Sequence, residues 1–574
     1  MCGICACTGN LNAVKLVTEG LKILEYRGYD SAGVAYIENE NLKVEKAVGE
    51  ICNLEKKVEN LVSFTAIGHT RWATHGGVTE NNAHPHFSFS KNIAMVHNGI
   101  VENYKELKEK LEIDTWRSQT DTEVFVNLVE KENGTLLEKL ISASRKVIGS
   151  FAVAILDEKG NLVLGKRESP LYVAKIKNGI MAVSDTYVLS GLTENFYTLG
   201  DNEFAEIKND EIYFYDKNGK KIIKNSEKMQ KFDKKSTIFE KTHMKSEILE
   251  TKNILKTTYK NYQDGNLFSQ IIFPKRLKEI NLIACGTAYH SALQGAEYFK
   301  KIGIPSHAYI ASEFRYGNEI LNKNALYIFV SQSGETADTI ACAKMLKEKK
   351  MCCLALTNTP NSYLNQICGN VLPTFAGKEI AVASTKAYSC QVFVLYLFSL
   401  YISGKFQEKE KEIENFLVKF PLVDIDKNVV DKISKFKKIF FIGRGQDYIT
   451  ALESSLKLKE ITYINSFAIA SGELKHGTLA LIDEKSIVIA ICTEEKTKEK
   501  LFSNLEEVKA RNGSVLLVTN FETNFDNLQI PTFPPSLMPL VSIIPMQFLA
   551  LHICEKFGYN PDKPKNLAKS VTVE

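Results

Sequence analysis

The sequence has little net charge, and that scarcity limits the partners it can have. Its 72 lysines and arginines are nearly balanced by 68 aspartates and glutamates, which leaves +4 over 574 residues. A nucleic-acid-binding protein usually concentrates a much larger basic excess on one surface, so we expect no nucleic-acid partner. With 44% hydrophobic and 24% charged residues, the chain has the composition of an ordinary globular protein.

A disulfide framework, a leader and a membrane span are also missing from the pattern. The 12 cysteines are scattered singly or in pairs, and the first residues lack the basic and apolar regions of a signal peptide. Of the two apolar runs, residues 390–403 fall short of the ~20 that cross a bilayer, and residues 537–554 contain prolines and polar residues. We therefore expect two buried core elements, reduced thiols, a cytoplasmic location and no membrane partner.

The chain is too long for one hydrophobic core. The pattern of its residues changes twice along the length. Up to residue 225, short alternating or β-branched runs predict a strand-rich α+β domain. Residues 226–250 are highly charged, and we interpret them as a linker that runs into a helix. Beyond it, apolar strands alternate with helical patterns, which is typical of parallel sheets covered on both faces.

The second half of the chain contains the same series of elements twice. Residues 280–362 and 439–520 match element for element, which indicates a duplicated α/β domain. The predicted architecture is a domain at residues 2–225, the linker, and two doubly wound α/β domains at residues 251–415 and 416–574.

The opening MCGICACTGN places three cysteines in the first seven residues. Five histidines between residues 69 and 97 make a metal site conceivable, but no second CxxC or HxxxH knuckle follows, so we expect no metal. Cys5 and Cys7 fit a buried apolar strand. Cys2 differs, because removal of Met1 would give it a free α-amine with a pKa of ~7.7 to 8.0, able to take the thiol proton. Cys2 is therefore a candidate N-terminal nucleophile.

Four motifs downstream of Cys2 are each weak evidence when taken alone. They are YRGYDSAG, GHTRWATHGG, VHNGI and TDTEV, at residues 26–33, 68–77, 96–100 and 120–124. Singly, NG is a common hairpin turn, Arg71 could be a surface charge and Asp121 a helix cap. Together and in this order, they resemble the N-terminal-nucleophile (class II) glutamine amidotransferase domain. The resemblance covers about the first 230 residues and implies an αββα fold.

This resemblance implies a glutamine site that releases ammonia. Cys2 is similar to the nucleophile that attacks the side-chain amide, and Asn98 with the backbone N–H of Gly99 is similar to the oxyanion hole. Arg71 would hold the α-carboxylate of glutamine and Asp121 its α-ammonium. The remaining implied positions are the pocket walls Thr74 and His75, the closing residue Arg27, and Trp72 as the gate of an ammonia channel.

The rest of the chain lacks the motifs of two other ammonia acceptors, an SGG-type pyrophosphate loop and an acidic-pair loop ending in RGTT. Instead, SQSGETADT at residues 331–339 crowds hydroxyls and backbone N–H groups at a predicted helix N-terminus, where an ordinary cap needs only one hydroxyl. This is a phosphate cradle without the Walker lysine. FIGRGQD at residues 441–447 lacks the third glycine of a dinucleotide site, and we expect no cofactor.

These features resemble the sugar isomerase (SIS) domain, and the whole chain resembles the glutamine–fructose-6-phosphate aminotransferase family. The matching motifs are CGT, SQSGET, VASTKA, ESSLKLKE, GELKHG and NLAKSVTVE, which begin at residues 285, 331, 382, 453, 472 and 566. Ala288 and Thr478 stand where the family commonly has serine and proline. The resemblance implies a homodimer that uses glutamine and fructose 6-phosphate to make glucosamine 6-phosphate, the first step of the hexosamine pathway.

Amination and isomerisation of a ketose phosphate require an acid, a base and an amine. Glu453, Lys457 and Glu460 share one face of a predicted helix, where a solvated ion-pair stripe would be an equally good interpretation. By resemblance, Glu460 is the base that moves the proton, His476 opens the ring, and Lys569 forms a Schiff base from an ordered tail. The implied sugar-phosphate contacts are Thr287, Ser331, Gln332, Ser333, Thr336, Val382, Ser384, Glu453 and Lys457.

Two alternatives remain beside this interpretation. A sugar-phosphate sensor with a silent glutaminase is disfavoured, because Cys2, Asn98, Glu460 and Lys569 are all present. An enzyme with the same parts could instead act on a different phosphorylated sugar, or in the deglycating direction.

Overall fold

The structure is a computed structural model that describes residues 2–73, 75–229 and 240–571. The chain forms two compact units, one of Met1–Phe232 with Ser570–Glu574 and one of Asp233–Lys569. We call them the N-terminal unit and the C-terminal unit.

The N-terminal unit consists of two antiparallel sheets with helices. Its strands are β1 (Gly3–Gly9), β2 (Ser31–Glu38), β3 (Asn41–Val48), β4 (Thr65–Arg71), β5 (His86–Phe87), β6 (Ile93–Val101), β7 (Gly149–Asp157), β8 (Leu162–Arg167), β9 (Tyr172–Ile176), β10 (Gly179–Val183), β11 (Asn195–Thr198), β12 (Glu203–Lys208), β13 (Glu211–Tyr215), β14 (Lys221–Ile222) and β15 (Glu227–Lys228). Its α-helices are α1 (Ala13–Leu24), α2 (Ile51–Val58), α3 (Tyr104–Leu111), α4 (Asp121–Lys131) and α5 (Leu136–Lys146).

These elements form four layers. One sheet has the order β15-β11-β9-β10-β1-β4-β2-β3 and packs against α1 and α2, and the other has the order β14-β13-β12-β8-β7-β6-β5 and packs against α3, α4 and α5. A third apolar cluster lies between the two sheets. The αββα expectation is therefore confirmed.

The side chains of strand β1 alternate between two of the apolar clusters. Cys5 and Cys7 are fully buried in the cluster with α1, whereas Ile4 and Ala6 belong to the cluster between the sheets. Successive side chains of a strand point to opposite faces, so a strand covered on both faces is apolar throughout. The expectation that Cys5 and Cys7 are small buried residues of a strand is confirmed.

The C-terminal unit contains two parallel sheets. Its strands are β16 (Glu279–Ala284), β17 (Ser306–Ile310), β18 (Ala325–Ser331), β19 (Cys352–Thr357), β20 (Val371–Pro373), β21 (Lys438–Gly443), β22 (Ser466–Ala470), β23 (Ser486–Cys492), β24 (Ser514–Thr519) and β25 (Asn527–Gln529). Its helices are α6 (His243–Tyr262), α7 (Asn266–Ser269), α8 (Gly286–Lys301), α9 (Ala311–Tyr316), α10 (Ala337–Glu348), α11 (Tyr363–Cys368), α12 (Lys386–Ile402), α13 (Glu410–Lys419), α14 (Lys427–Ile433), α15 (Gln446–Thr462), α16 (Glu495–Lys509) and α17 (Met538–Lys556).

The two parallel sheets repeat one topology. Their orders are β17-β16-β18-β19-β20 and β22-β21-β23-β24-β25, which is the same permutation of five consecutive strands. Every strand pair in both sheets is parallel. The duplicated, doubly wound α/β architecture is therefore confirmed. The exact domain limits stay a prediction, and residues 230–239 of the expected linker lie outside the described residues.

The two apolar runs form α12 and α17, and both are almost entirely buried. Among the described residues, α17 alone is long and apolar enough to cross a membrane, and 89% of its apolar window is buried inside the fold. It packs against α15, α6 and α12. A helix that is apolar on every side fits this surrounded position, as the sequence predicted.

Candidate functional site

Strand pairing in the N-terminal unit places Cys2 beside the end of β4. Gly3 pairs with Thr70, so Cys2 lies next to Arg71, the last residue of β4, and to Trp72. The Trp72 N–H donates to Cys2 Sγ at 3.3 Å, and the thiol contacts the Trp72 carbonyl oxygen at 3.6 Å. The start of the chain is thereby fixed to a central strand of the sheet.

A small pocket surrounds this thiol and unites most of the predicted glutamine-site residues. The residues that line it are Cys2, Arg71, Trp72, His75, His84, His97, Gly99, Thr120, Asp121 and Thr122. Asn98 adjoins it, because its Nδ2 donates to the Cys2 carbonyl oxygen at 3.1 Å. Thr74 and Met1 lie outside the described residues.

Arg27 occupies a different place from the pocket lining. Its guanidinium is buried, forms an ion pair with Asp185 at 2.7 Å and donates to the Ser184 carbonyl oxygen at 3.2 Å. Its predicted role in closing the site stays a prediction.

Burial raises the pKa of the Cys2 thiol, and the N-terminal charge, the Trp72 N–H and the Arg71 charge only partly offset this rise. A buried thiol with a raised pKa needs a nearby base to become a thiolate at neutral pH. The environment of Cys2 therefore fits activation by its own α-amine better than spontaneous ionisation.

The pocket carries one charge of each sign. Arg71 is buried, and its guanidinium donates to the carbonyl oxygens of Gly76 at 3.2 Å and Gly77 at 3.1 Å. Asp121 begins α4, and its carboxylate accepts the Val101 N–H at 2.8 Å, while the helix cap is the neighbouring Thr120. A free amino acid presents an anionic and a cationic group, which these two side chains complement.

Gly99 occupies a backbone conformation that requires glycine. Its φ is +140°, and a Cβ there would lie 2.1 Å from the Ser150 carbonyl oxygen. Glycine at this position therefore allows the close approach of β6 to the Ser150 carbonyl oxygen on β7.

In the C-terminal unit, Glu453 and Lys457 of the α15 face are buried, and the side chain of Glu460 is 19% exposed. Lys457 Nζ lies 3.4 Å from Glu453 Oε1 and 2.6 Å from Glu460 Oε2, and the side chains of Glu453 and Lys457 are fully inaccessible. The shared helix face is confirmed, and the interpretation as a solvated stripe is wrong. Burial raises the pKa of Glu460 although Lys457 opposes it, and a raised pKa favours proton exchange by this carboxyl.

The first residues of α8 meet this face of α15. Thr287 Oγ1 donates to Glu453 Oε1 at 3.1 Å and accepts from Lys457 Nζ at 3.0 Å. His290 Nδ1 lies 2.7 Å from Glu453 Oε2. Sequence reasoning missed His290, although its position three residues after Thr287 places both on one helix face.

SQSGET forms the turn between β18 and α10. Ser331 Oγ accepts the Gly334 N–H at 3.0 Å and lies 3.1 Å from Thr336 Oγ1, and Ser333 Oγ accepts the Glu335 N–H at 3.1 Å. Gln332 holds the turn through its carbonyl oxygen, which accepts from Asn358. The Ser331 and Thr336 hydroxyls therefore meet in the turn that precedes α10, and the phosphate-cradle interpretation stays a prediction.

Glu379 joins the VASTKA segment to the tail and was missed in the sequence. Its carboxylate accepts from Ser384 Oγ at 2.7 Å, from the N–H groups of Thr385 and Ala387 at 2.9 and 3.0 Å, and from Lys569 Nζ. Although burial raises the pKa of Glu379, the Lys569 charge and these donors lower it to about 2. The only local signal for this role in the sequence was the position of the glutamate, three residues before the VASTKA segment begins at Val382.

The tail is folded back as far as the structure describes it. The Lys569 side chain is 2% exposed, and the Val382 N–H donates to the Asp562 carbonyl oxygen at 3.1 Å. Thr572, Val573 and Glu574 lie outside the described residues. His476 is exposed at the end of the 3-10 helix Ser471–His476, and no side-chain hydrogen bond of His476 is found in the described part of the chain.

The sequence matches two domain families, one in each of the two units. Residues 69–190 match the glutamine amidotransferase domain, and residues 275–401 and 432–553 match the SIS domain. Fold and sites together therefore define an amidotransferase of the N-terminal-nucleophile class joined to a pair of SIS domains.

Full-length relatives refine this class. The chain is 39% identical to the glutamine–fructose-6-phosphate aminotransferase (isomerizing) of Clostridium tetani and 41% identical to that of Caldanaerobacter subterraneus, with 100% of both chains covered each time. The chain belongs to the glutamine–fructose-6-phosphate aminotransferase family.

Solved structures match the C-terminal unit. The C-terminal domain of glucosamine-fructose-6-phosphate aminotransferase from Francisella tularensis is 31% identical, with a TM-score of 0.50 over 56% of this chain and 99% of that one. A glucosamine-6-phosphate deaminase from Thermotoga maritima shares the fold at 24% identity and a TM-score of 0.51, over 58% of this chain and 100% of that one.

Proposed function

We propose that the protein makes glucosamine 6-phosphate from fructose 6-phosphate and glutamine. The N-terminal unit hydrolyses glutamine to glutamate and ammonia, and the C-terminal unit aminates and isomerises the sugar. One observation carries this proposal. A chain of this family combines an oppositely charged pocket at Cys2 with a buried Glu–Lys–Glu helix face in the unit that holds a hydroxyl-rich cradle.

In the glutamine site, the Cys2 thiolate adds to the side-chain carbonyl after the α-amine of Cys2 has taken the thiol proton. Asn98 Nδ2 and the Gly99 N–H stabilise the oxyanion, and Arg71 and Asp121 hold the two charged groups of glutamine. The tetrahedral intermediate collapses to a thioester as ammonia leaves with the proton from the amine. Water then hydrolyses the thioester to glutamate and restores the thiol.

In the sugar site, Ser331, Ser333, Thr336 and Ser384 bind the phosphate. His476 promotes ring opening, and the Lys569 amine condenses with the C2 carbonyl with loss of water. Ammonia displaces Lys569 to leave an imine at C2. Glu460 then removes a proton from C1 while the imine nitrogen gains a proton, which gives an enaminol. Glu460 returns its proton to C2 as the C1 hydroxyl loses its own proton, so C1 becomes the aldehyde of the aminoaldose.

Glu453, Lys457 and Thr287 hold Glu460 in place through their shared contacts. Gln332 and Val382 contribute backbone groups beside the sugar phosphate, and Thr74, His75 and Arg27 complete the glutamine site. Trp72 gates the passage of ammonia. We also propose a cytoplasmic homodimer, and the location is supported by the 12 cysteines, all unbridged and eight of them buried.

The test is stoichiometric. The purified protein, given glutamine and fructose 6-phosphate, should form glutamate and glucosamine 6-phosphate in equal amounts. Cys2→Ala should abolish both products while borohydride still traps fructose 6-phosphate on Lys569. Glutamate release without an aminosugar, or an aminosugar only from another ketose phosphate, would overturn the assignment of the sugar substrate.

A further inference from the structure

We propose that His69 is a positioning residue that fixes the orientation of the Asn98 side-chain amide in the oxyanion hole. This inference rests on the proposed function of the Cys2 pocket and adds a residue to its machinery. His69 lies on β4 and Asn98 on β6, and the ring of His69 is fully buried between them.

The proton of His69 can be placed from a backbone contact. His69 Nε2 lies 3.0 Å from the His97 carbonyl oxygen, which can only accept a hydrogen bond, so Nε2 carries the proton. His69 Nδ1 is buried and has no partner among the described residues. The contacts therefore select one tautomer of a neutral ring, the one protonated on Nε2.

The same N–H then determines which atom of Asn98 faces it. Asn98 Oδ1 is also 3.0 Å from His69 Nε2, and a donor at that distance requires an acceptor. At the other end of the amide, Nδ2 donates to the Cys2 carbonyl oxygen at 3.1 Å. Two backbone carbonyl oxygens, of His97 and Cys2, thus fix the amide from opposite ends, with His69 as the link to the first.

The surroundings keep the His69 ring neutral and in place. Burial lowers the pKa of His69 to about 3, even though its contacts with Asn98 and His97 oppose the shift. The ring stacks on His84 with centroids 4.1 Å apart and an interplanar angle of 11°. His84 in turn meets His86 edge-on at 4.7 Å. A neutral, packed donor can hold the amide without placing a full positive charge beside the pocket.

The orientation matters because Asn98 has one acceptor and one donor end. With Nδ2 toward Cys2, the second N–H of the amide is available to the oxyanion of the tetrahedral intermediate. If the amide rotated by 180°, Oδ1 would face that negative charge. Loss of one oxyanion-hole donor costs ~10² to 10³ in kcat.

Three substitutions at His69 distinguish this role from simple packing. His69→Leu removes the donor and should lower kcat for glutamine hydrolysis ~10²-fold, with KM for glutamine within about twofold, because Arg71 and Asp121 bind the substrate charges. His69→Gln places an amide N–H near the position of Nε2 and should restore at least ~10-fold of that loss. His69→Asn is the matched control, since its shorter amide ends near the position of Nδ1 and should not restore activity.

Two further measurements separate the oxyanion from the pocket as a whole. A glutamine analogue with an aldehyde in place of the amide forms a tetrahedral adduct with Cys2, and it should bind His69→Leu ~10-fold or more weakly. Alkylation of Cys2 by iodoacetamide, followed by peptide mapping, develops no oxyanion and should proceed at the wild-type rate.

Equal kcat in His69→Leu and wild type would overturn the proposal, as would equal losses in the Leu and Gln variants or a parallel loss of alkylation. Absence of glutaminase activity in the wild-type chain would instead overturn the proposed function.

Discussion

The glutamine pocket and the sugar site both bury ionisable side chains, but they keep different groups charged. Around the Cys2 pocket, burial lowers the pKa values of His69, His84, His86 and His97, so these rings are neutral. In the C-terminal unit, buried carboxylates pair with ammonium groups, as Glu460 does with Lys457 and Glu379 with Lys569.

This difference matches the chemistry of the two steps. Stabilisation of a developing oxyanion needs fixed dipoles that do not reorganise, and neutral packed rings provide such a frame. Transfer of a proton between two carbons needs a base whose charge state can change, and a paired, buried carboxylate provides it. The proposed substrate of the first site fits this difference. Glutamine carries its charges on the α-carboxylate and α-ammonium groups, and the amide that reacts is uncharged.

The largest expected effect that separates the two sites is that of Lys569→Arg. A guanidinium keeps the charge but is too weak a nucleophile for a Schiff base, so synthesis of glucosamine 6-phosphate should be lost while basal glutamine hydrolysis survives. Lys565→Arg, in the same tail, is the matched control and should leave both activities unchanged. Borohydride trapping with fructose 6-phosphate measures this directly, and a label on another lysine would contradict the assignment.

The next effect in size concerns the base on α15. Glu460→Gln keeps the shape and loses the carboxylate, so synthesis should fall ~10²-fold or more with little change in the free energy of unfolding. Glu506→Gln, on the exposed face of α16, should have no effect on either quantity. Near-normal synthesis by the Glu460 variant would show that Glu460 is not the base of the reaction.

A smaller effect is expected at the carboxylate that joins the tail to the VASTKA segment. Glu379→Gln keeps a hydrogen-bond acceptor but loses the charge that faces Lys569, and charge-assisted hydrogen bonds contribute ~1.5 to 3 kcal/mol. The ratio kcat/KM for fructose 6-phosphate should therefore fall ~10-fold or more, while glutamine hydrolysis is retained. Unchanged kcat/KM would show that the ion pair is dispensable.

A further expected effect is on stability rather than activity, as a pH dependence in the N-terminal unit. The four buried rings have lowered pKa values, whereas histidine in the unfolded chain has a pKa of ~6.5, so the unfolded state binds more protons below that pH. Stability should consequently fall as the pH drops below ~6.5. Both tryptophans, Trp72 and Trp116, lie in this unit. Tryptophan fluorescence during urea unfolding at pH 7.5 and 5.5 therefore reports the stability of the N-terminal unit selectively.

His86→Gln removes one neutral ring and should make this pH dependence shallower. A urea midpoint that is equal at the two pH values would contradict the prediction that the buried rings resist protonation.

Local pattern in the sequence was sufficient for most of the fold. The duplicated α/β domains could be predicted because apolar strands such as β18 and β23 are buried on both faces, which leaves an uninterrupted apolar run. The burial of Cys5 and Cys7 in a strand could be predicted by the same reasoning. The four-layer arrangement of the N-terminal unit came from resemblance, since alternating strands alone do not specify how two sheets pack.

The site could be predicted only in part, because tertiary pairs leave no local trace. Glu379 and Lys569 are 190 residues apart, and neither segment indicates its partner. The i, i+4, i+7 spacing on α15 showed a shared face but could not distinguish a buried face from a solvated one. Likewise, the GHTRWATHGG and VHNGI motifs contain His69 and Asn98, but sequence reasoning gave His69 no role, and only the contact with the His97 carbonyl oxygen fixes its tautomer.

The ion pair between Glu379 and Lys569 has a practical consequence for anyone who produces this protein. Glu379 also accepts from Ser384, so a change that displaces Lys569 would disturb the segment that is proposed to bind the phosphate. Residues placed before Cys2 would remove its free amine. An affinity tag should therefore be inserted in an exposed internal turn, such as residues 217–220 between β13 and β14, where all four residues are exposed.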